Sequence, residues 1–144
     1  MAYNTAAAAN KLVTLLSGLS GVGEAALGMP PNLAVKLGAY VTMGSQRPNR
    51  KVTGITQRET RLFVKFLYRL DKAESAAEST LMSVVDAFLV ALQADLTLDG
   101  TVNSLEVDTA LADEPDYQAV AGKEYREYPI LVTVTQYGTY EVNP

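Results

Sequence analysis

The strongest constraint on the fold is a strict alternation of side chains in "RLFVKFLYRL", residues 61–70. One face of this segment, when extended, carries only apolar or aromatic residues: Leu62, Val64, Phe66, Tyr68 and Leu70. The other face mixes cations with apolar residues: Arg61, Phe63, Lys65, Leu67 and Arg69. Because side chains alternate across a strand, the segment predicts a β-strand with one buried face and a second face that is not simply solvated.

Three further segments show weaker strand patterns. Residues 35–43, "VKLGAYVTM", alternate in the same way, and a short strand is predicted near 102–109 with Leu105 and Val107 facing inward. The last strand is predicted at 126–137, where Pro129 favours an edge position or a strand start.

Two segments have helical periodicity instead. Residues 5–19 place alanines and leucines three and four positions apart. Residues 75–96 carry an apolar stripe over four turns, made of Leu81, Val84, Val85, Phe88, Leu89, Leu92 and Leu96. The order is therefore helix, strand, strand, helix, strand, strand. This order predicts a single α+β domain over 1–144, with a four-stranded antiparallel sheet and both helices packed on one face. A long hairpin arm would join the first two strands, and Gly44, Pro48 and Gly54 predict irregular backbone along it.

The composition excludes several kinds of chemistry. There is no cysteine and no histidine, so disulfides, thiolate metal sites and Ser/His/Asp triads are absent from this sequence. The glycine-rich run at 17–23 follows a helix, not a strand, and indicates a helix stop and not a phosphate loop. Asp113, Glu114 and Asp116 match no EF-hand spacing, which favours a solvated acidic loop over a cation site. No catalytic, cofactor-binding or metal-binding residue is predicted, and the chain is not expected to be an enzyme.

The hydropathy pattern bears on location. No run of about 18 apolar residues is present, so no membrane span is expected. The alanine-rich start lacks a basic region and a continuous apolar core, which predicts a protein that is made in the cytoplasm.

Charge is distributed unevenly along the chain. The formal net charge is −4, yet "SQRPNRKVTGITQR", residues 45–58, contains four cations and no acid. Residues 95–116 contain seven acids and no cation. The basic arm is open to three interpretations: a solvated loop, a nucleic-acid contact, or a docking arm for a protein partner. A dedicated DNA contact is disfavoured because no aromatic residue is interleaved for base stacking. A docking arm is favoured because the chain itself carries complementary acids.

If the two charged patches lie on opposite flanks, identical copies can join head to tail and close into a ring. Phe63 and Leu67 would supply the apolar part of such a contact. The predicted partner-interface residues are Arg47, Arg50, Lys51, Arg58, Arg61, Phe63, Asp113, Glu114 and Asp116.

The layout resembles the tail terminator proteins of long-tailed bacteriophages. The resemblance lies in the N-terminal helix, the hairpin with its long polar arm, "RLFVKFLYRLD" running into an alanine/glutamate helix, and the closing segment "YREYPILVTVTQYGTY". It covers most of residues 5–140 and is one of pattern and order, since the family has no invariant short motif. Related neck proteins of the same virions are similar at this level.

The resemblance implies a structural protein without catalysis. Such proteins form a six-membered ring on the finished tail tube, stop its polymerisation and offer a surface to the head-side connector, and the phage DNA passes through the lumen without specific binding. By this likeness the arm would reach a neighbouring subunit or the tube, and the protein would be located in the virion after assembly in the host cytoplasm. The alternatives are another head–tail connector or neck protein, and a small cytoplasmic binding module.

Overall fold

The computed structural model describes residues 4–29, 35–47, 50–52, 55–70 and 74–139. For residues 50–52, 55–56, 74–76 and 138–139 it describes the backbone only. Two helices and a single 3₁₀ turn (Ala110–Ala112) accompany the strands within these ranges. The helices are α1 (Thr5–Ser17) and α2 (Glu74–Gln93). The strands are β1 (Glu24–Leu27), β2 (Leu37–Gln46), β3 (Arg50–Val52), β4 (Ile55–Arg69), β5 (Ser104–Asp108), β6 (Asp116–Val120) and β7 (Lys123–Thr139).

The described strands form one sheet in the order β1-β2-β4-β7-β5, with β3 beside β4 and β6 beside β7. The predicted α+β class is therefore confirmed. The prediction of a four-stranded, purely antiparallel sheet is wrong in detail: β2, β4, β7 and β5 form that sheet, but β1 adds a parallel pair to β2. The added strands β1, β3 and β6 are four, three and five residues long. Segments this short carry too few residues for an alternation to be recognised.

The two longest strands exceed their predicted lengths. β4 and β7 pair without interruption from Ile55↔Thr139 to Arg69↔Tyr125. The described residues of the arm, which was predicted to be irregular, are therefore mostly extended: β2 continues through Gly44, and β3 pairs with the start of β4. Pro48 and Gly54 lie outside the described residues. Gly44 lies where the pairing of β2 with β4 shifts register, between Met43 and Gln46, so the irregular backbone predicted at this glycine is present. A Cβ there would come within 2.4 Å of the Phe63 ring, so glycine leaves room for an aromatic side chain.

Both helices begin close to their predicted positions and end two to three residues earlier. Asn4 caps α1, its Oδ1 accepting a hydrogen bond from the Ala7 N–H at 3.0 Å. After α2 the chain turns through Leu98 and Asp99, both with positive φ, and buries Leu98 completely. Leu96, predicted as part of the apolar stripe of this helix, is instead 53% exposed. Among the described residues, neither helix has the length and the apolar character that a membrane-spanning segment requires.

Pro129 lies in a central strand, contrary to the expectation of an edge or a strand start. It pairs with Lys65 of β4 on one side. On the other side β7 pairs with β6 up to Glu127 and with β5 from Leu131. Proline thus falls in the gap between two short neighbours, where no strand requires an N–H donor.

The main core lies between the sheet and the two helices, which cover the same face as predicted. Leu12 and Leu16 of α1 and Leu81 and Phe88 of α2 are all at most 2% exposed. They meet the inward residues of the central strands: Leu37, Ala39, Val41, Leu62, Val64, Phe66, Ile130, Val132 and Val134. The rings of Phe66 and Phe88 meet edge to face with centroids 5.7 Å apart, joining α2 to β4.

Replacing Phe88 by alanine should lower the free energy of unfolding by about 3–5 kcal/mol, because a buried ring is lost and a cavity remains. Urea unfolding followed by circular dichroism measures the change. Met82→Ala on the same helix is the matched control, since Met82 is 63% exposed and should change stability by less than about 0.5 kcal/mol. Equal effects of the two substitutions would contradict the assigned core.

Candidate assembly interface

The basic arm is part of a narrow ribbon of strands. We define the ribbon as β3, residues 55–60 of β4 and residues 134–139 of β7, which pair with one another. Arg47 joins the ribbon to β2: its N–H donates to the Glu59 carbonyl at 2.9 Å, and its Nε lies 3.7 Å from Glu59 Oε2. The Arg47 side chain is 77% exposed. Arg50 and Lys51 lie in β3, and their side chains are outside the described residues.

Arg58 points in a different direction from Arg47. Its Nη2 donates to Thr5 Oγ1 at 3.0 Å, which ties the base of the ribbon to the first turn of α1. The side chain is half-buried, and its neighbour Thr60 is completely buried. Arg58 therefore lies on the helix side of the sheet and does not share a surface with Arg61.

The face of the sheet opposite the helices, here called the outer face, carries a polar cleft. The cleft has a volume of about 320 Å³ and lies above β4 and β7. It is lined by Ser45, Arg47, Glu59, Arg61, Glu106 and Thr133. Thr133 of β7 pairs with both Arg61 and Glu106, so the three residues form one row across the sheet. The cleft thus contains the guanidinium groups of Arg47 and Arg61 and the carboxylates of Glu59 and Glu106. Their formal charges sum to zero.

A second hollow on the outer face contains Phe63. It has a volume of about 310 Å³ and is lined by Thr42, Phe63, Lys65, Leu111, Asp116, Glu127 and Pro129. Lys65 and Glu127 form an ion pair at 3.4 Å. Leu111, on the 3₁₀ turn, borders the hollow and is 49% exposed. The structure therefore brings together Phe63 and Asp116, which lie more than fifty positions apart in the sequence.

The acidic run of 95–116 is divided between different surfaces. Asp99 pairs with Lys11 of α1 at 2.9 Å, which lowers the pKa of Asp99 and raises the pKa of Lys11. Glu106 belongs to the polar cleft, whereas Asp113 and Glu114 are exposed after the 3₁₀ turn. In the described part of the chain, no three acidic side chains cluster closely enough to hold a metal ion.

The exposed acids and the ribbon lie at different heights along β7. Asp116 pairs with Glu127, and Asp108 pairs with Leu131. The far end of the ribbon is at Thr139, eight positions beyond Leu131, which corresponds to about 26 Å of extended chain. β4 and β7 therefore hold the ribbon apart from Asp113 and Glu114, the exposed acids that follow the 3₁₀ turn.

A small second core occupies the outer face at the opposite end of the sheet from the ribbon. Tyr40, Leu67 and Tyr125 are at most 1% exposed there, and Ala26, Met29 and Val120 pack against them. Leu67 is thus buried and does not form part of a contact surface, contrary to the sequence-based expectation. The sequence signal for this cluster is Gly38, where a Cβ would lie 2.3 Å from Tyr40 Oη.

Comparison with known protein-family models and with curated proteins gave no match to this chain.

Replacing Tyr40 by phenylalanine should not destabilise the protein. Among the described residues, the buried Tyr40 Oη has no hydrogen-bond partner, so its removal leaves no group unsatisfied. Burial raises the pKa of Tyr40 to about 12. The unfolded chain therefore loses this proton first, and wild-type stability should fall as the pH rises from about 10 to about 12.

Urea unfolding at neutral and alkaline pH checks this prediction. The Tyr40→Phe variant should match or exceed the wild type at pH 7, and it should lose less stability than the wild type at alkaline pH. A large loss at pH 7 would show that the hydroxyl makes a stabilising hydrogen bond.

Proposed function

We propose that this chain is a virion structural protein that forms a ring of about six copies on the end of a phage tail tube. The ring would stop tube polymerisation and provide the surface that joins the tail to the head-side connector. The protein would thus reside in the tail or neck of the virion, and the genome would pass through the ring without specific binding.

The observation that carries the proposal is the ribbon. A hairpin loop that served only to connect two strands would need few residues. Here β4 and β7 continue together past the last pairing with β5, at Thr135, by four further pairs, from Arg58↔Gln136 to Ile55↔Thr139. The extension presents the exposed guanidinium group of Arg47 and the backbone of Arg50 and Lys51. A paired extension of this kind is suited to reach a second molecule.

The charge pattern supports assembly of identical copies. Arg47 follows β2 at one side of the sheet, and Glu106 stands on β5 at the other side. Two unlike patches on one rigid body favour head-to-tail contacts, which close into a ring when the rotation between copies permits. Exposed charges of this kind mainly set orientation and the rate of encounter.

The mass of the purified protein in solution tests the proposal. We expect native mass spectrometry at low salt to show one closed assembly of about six copies. The fraction assembled should fall as salt screens the exposed charges. Purified tail tubes should bind the protein at one end only. A single copy at every salt concentration that also fails to bind tube ends would contradict the proposal.

Charge reversal tests the ribbon directly. The triple variant Arg47→Glu/Arg50→Glu/Lys51→Glu should keep the circular dichroism spectrum and thermal midpoint of the wild type but fail to assemble, because all three are charged residues of the arm and Arg47 is exposed. The control is Lys11→Glu/Lys36→Glu/Lys123→Glu, which changes the net charge equally at sites away from the ribbon. Normal assembly of the ribbon variant would show that the ribbon is a solvated extension.

A further inference from the structure

We propose that neighbouring copies in the ring pair β2 of one copy with β5 of the next, so that one sheet runs continuously around the ring. This inference rests on the proposed function and specifies the contact on which ring closure depends. It follows from the two free edges of the sheet: their positions along the strands, the directions of the strands and the side chains that flank them.

The first free edge belongs to β2. β1 ends at Leu27, opposite Val41, and Gly28 donates a final hydrogen bond to the Val41 carbonyl at 2.7 Å. Beyond this point, residues 42–46 of β2 have no strand beside them on that edge within the described ranges, and the pairing of β2 with β4 shifts register between Met43 and Gln46. An unpaired strand edge is a template for another strand.

The second free edge belongs to β5, at the other end of the sheet. β5 pairs with β7 along residues 131–135, and no described strand pairs with its far edge. The two free edges thus lie on opposite sides of the same sheet. A contact between two unlike edges is heterologous, the type of contact that generates rings.

The free edges of β2 and β5 lie at the same position along the strand direction. Met43 pairs with Leu62, Leu62 with Val132, and Val132 with Val107, which forms one row across the sheet. Copies related by rotation about an axis along the strands therefore present Val107 of one copy beside Met43 of the next, without a shift along the axis.

The strand directions are also compatible. β4 is antiparallel to β2, β7 to β4, and β5 to β7, so β5 runs opposite to β2. Rotation about an axis along the strands preserves these directions, and β5 of one copy therefore meets β2 of the next as an antiparallel pair. Antiparallel pairing needs no crossover and is slightly more stable per residue than parallel pairing.

Apolar side chains flank the free edge of β2 on the helix side. Met43 is 63% exposed and Leu27 is 50% exposed. They border a groove of about 380 Å³ whose floor includes Ala6, Ala9, Val41 and Leu62. Val107 shares its row and its face with Val132, which places it on the helix side. An incoming β5 would cover Met43 and bring Val107 to the groove, as side-chain pockets do in strand addition.

Opposite charges flank the pairing on the outer face. Arg47 follows the free edge of β2, and Glu106 stands on the outer face of β5. Because β2 has one extra residue between Met43 and Gln46, the Arg47 row continues through Glu59 and Thr135 to Ser104, two residues from Glu106. In the paired sheet, Arg47 of one copy and Glu106 of the next become diagonal neighbours on adjacent strands. Long side chains can contact each other at this distance.

Cysteine cross-linking tests the contact, because the natural chain has no cysteine. The variant Met43→Cys/Val107→Cys should give a covalent ladder up to a closed ring on oxidation or with a short bismaleimide. Each single variant should give no ladder. Met82→Cys/Val107→Cys is the matched control, since Met82 is as exposed as Met43 but lies on α2. A second pair, Arg47→Cys/Ser104→Cys, changes only exposed residues and tests the neighbouring row without touching the core.

The outcomes separate this inference from the proposed function. A ladder from both designed pairs and not from the control supports β2–β5 pairing. If rings form but neither designed cysteine pair cross-links, the proposed β2–β5 pairing is overturned and the proposed function is not. Cross-linked dimers from Met43→Cys alone indicate two-fold pairing of β2 with itself and also overturn it. A chain that stays monomeric, even with tail tubes present, overturns both proposals.

Discussion

The pairing of β4 with β7 is the interaction on which the rest of the structure depends. It runs over fifteen consecutive residue pairs and forms the centre of the sheet. One end supports the core, where Phe66 of β4 meets Phe88 of α2. The other end continues as the ribbon, which Arg58 joins to the first turn of α1. Because the same two strands form both parts, the orientation of the ribbon is fixed by the packing of the core, and a docking surface on the ribbon would carry little cost of ordering on binding.

The two faces of the sheet have different roles. The helix face is closed by apolar packing, and Arg58 joins the base of the ribbon to α1 through Thr5. The outer face has a small buried cluster around Tyr40 at one end and a polar cleft of alternating charges towards the ribbon. The sheet has two different free edges, a cleft of mixed charge and a basic ribbon. Together these features favour a contact with a defined partner surface over a general attraction to polyanions. This is the physical basis for proposing a ring of identical copies.

The sequence was sufficient for elements whose patterns are long. The alternation of 61–70 and the apolar stripe of the second helix predicted a sheet with two helices on one face, and both are present. It was insufficient where tertiary contacts outweigh local signals. Leu67 resembled a surface residue, but Tyr40 and Tyr125 bury it. Arg58 and Arg61 lie on opposite faces of β4 because this strand already begins at Ile55. The charge pattern of the sequence does not show where the strand begins.

Electron micrographs of the purified protein at low salt test the central claim most directly, because they report the symmetry of the assembly as well as its existence. Class averages should show rings with a central opening and a single rotational axis, as head-to-tail contacts require. Particles with only two-fold symmetry, or isolated monomers under all conditions including the presence of tail tubes, would contradict the account.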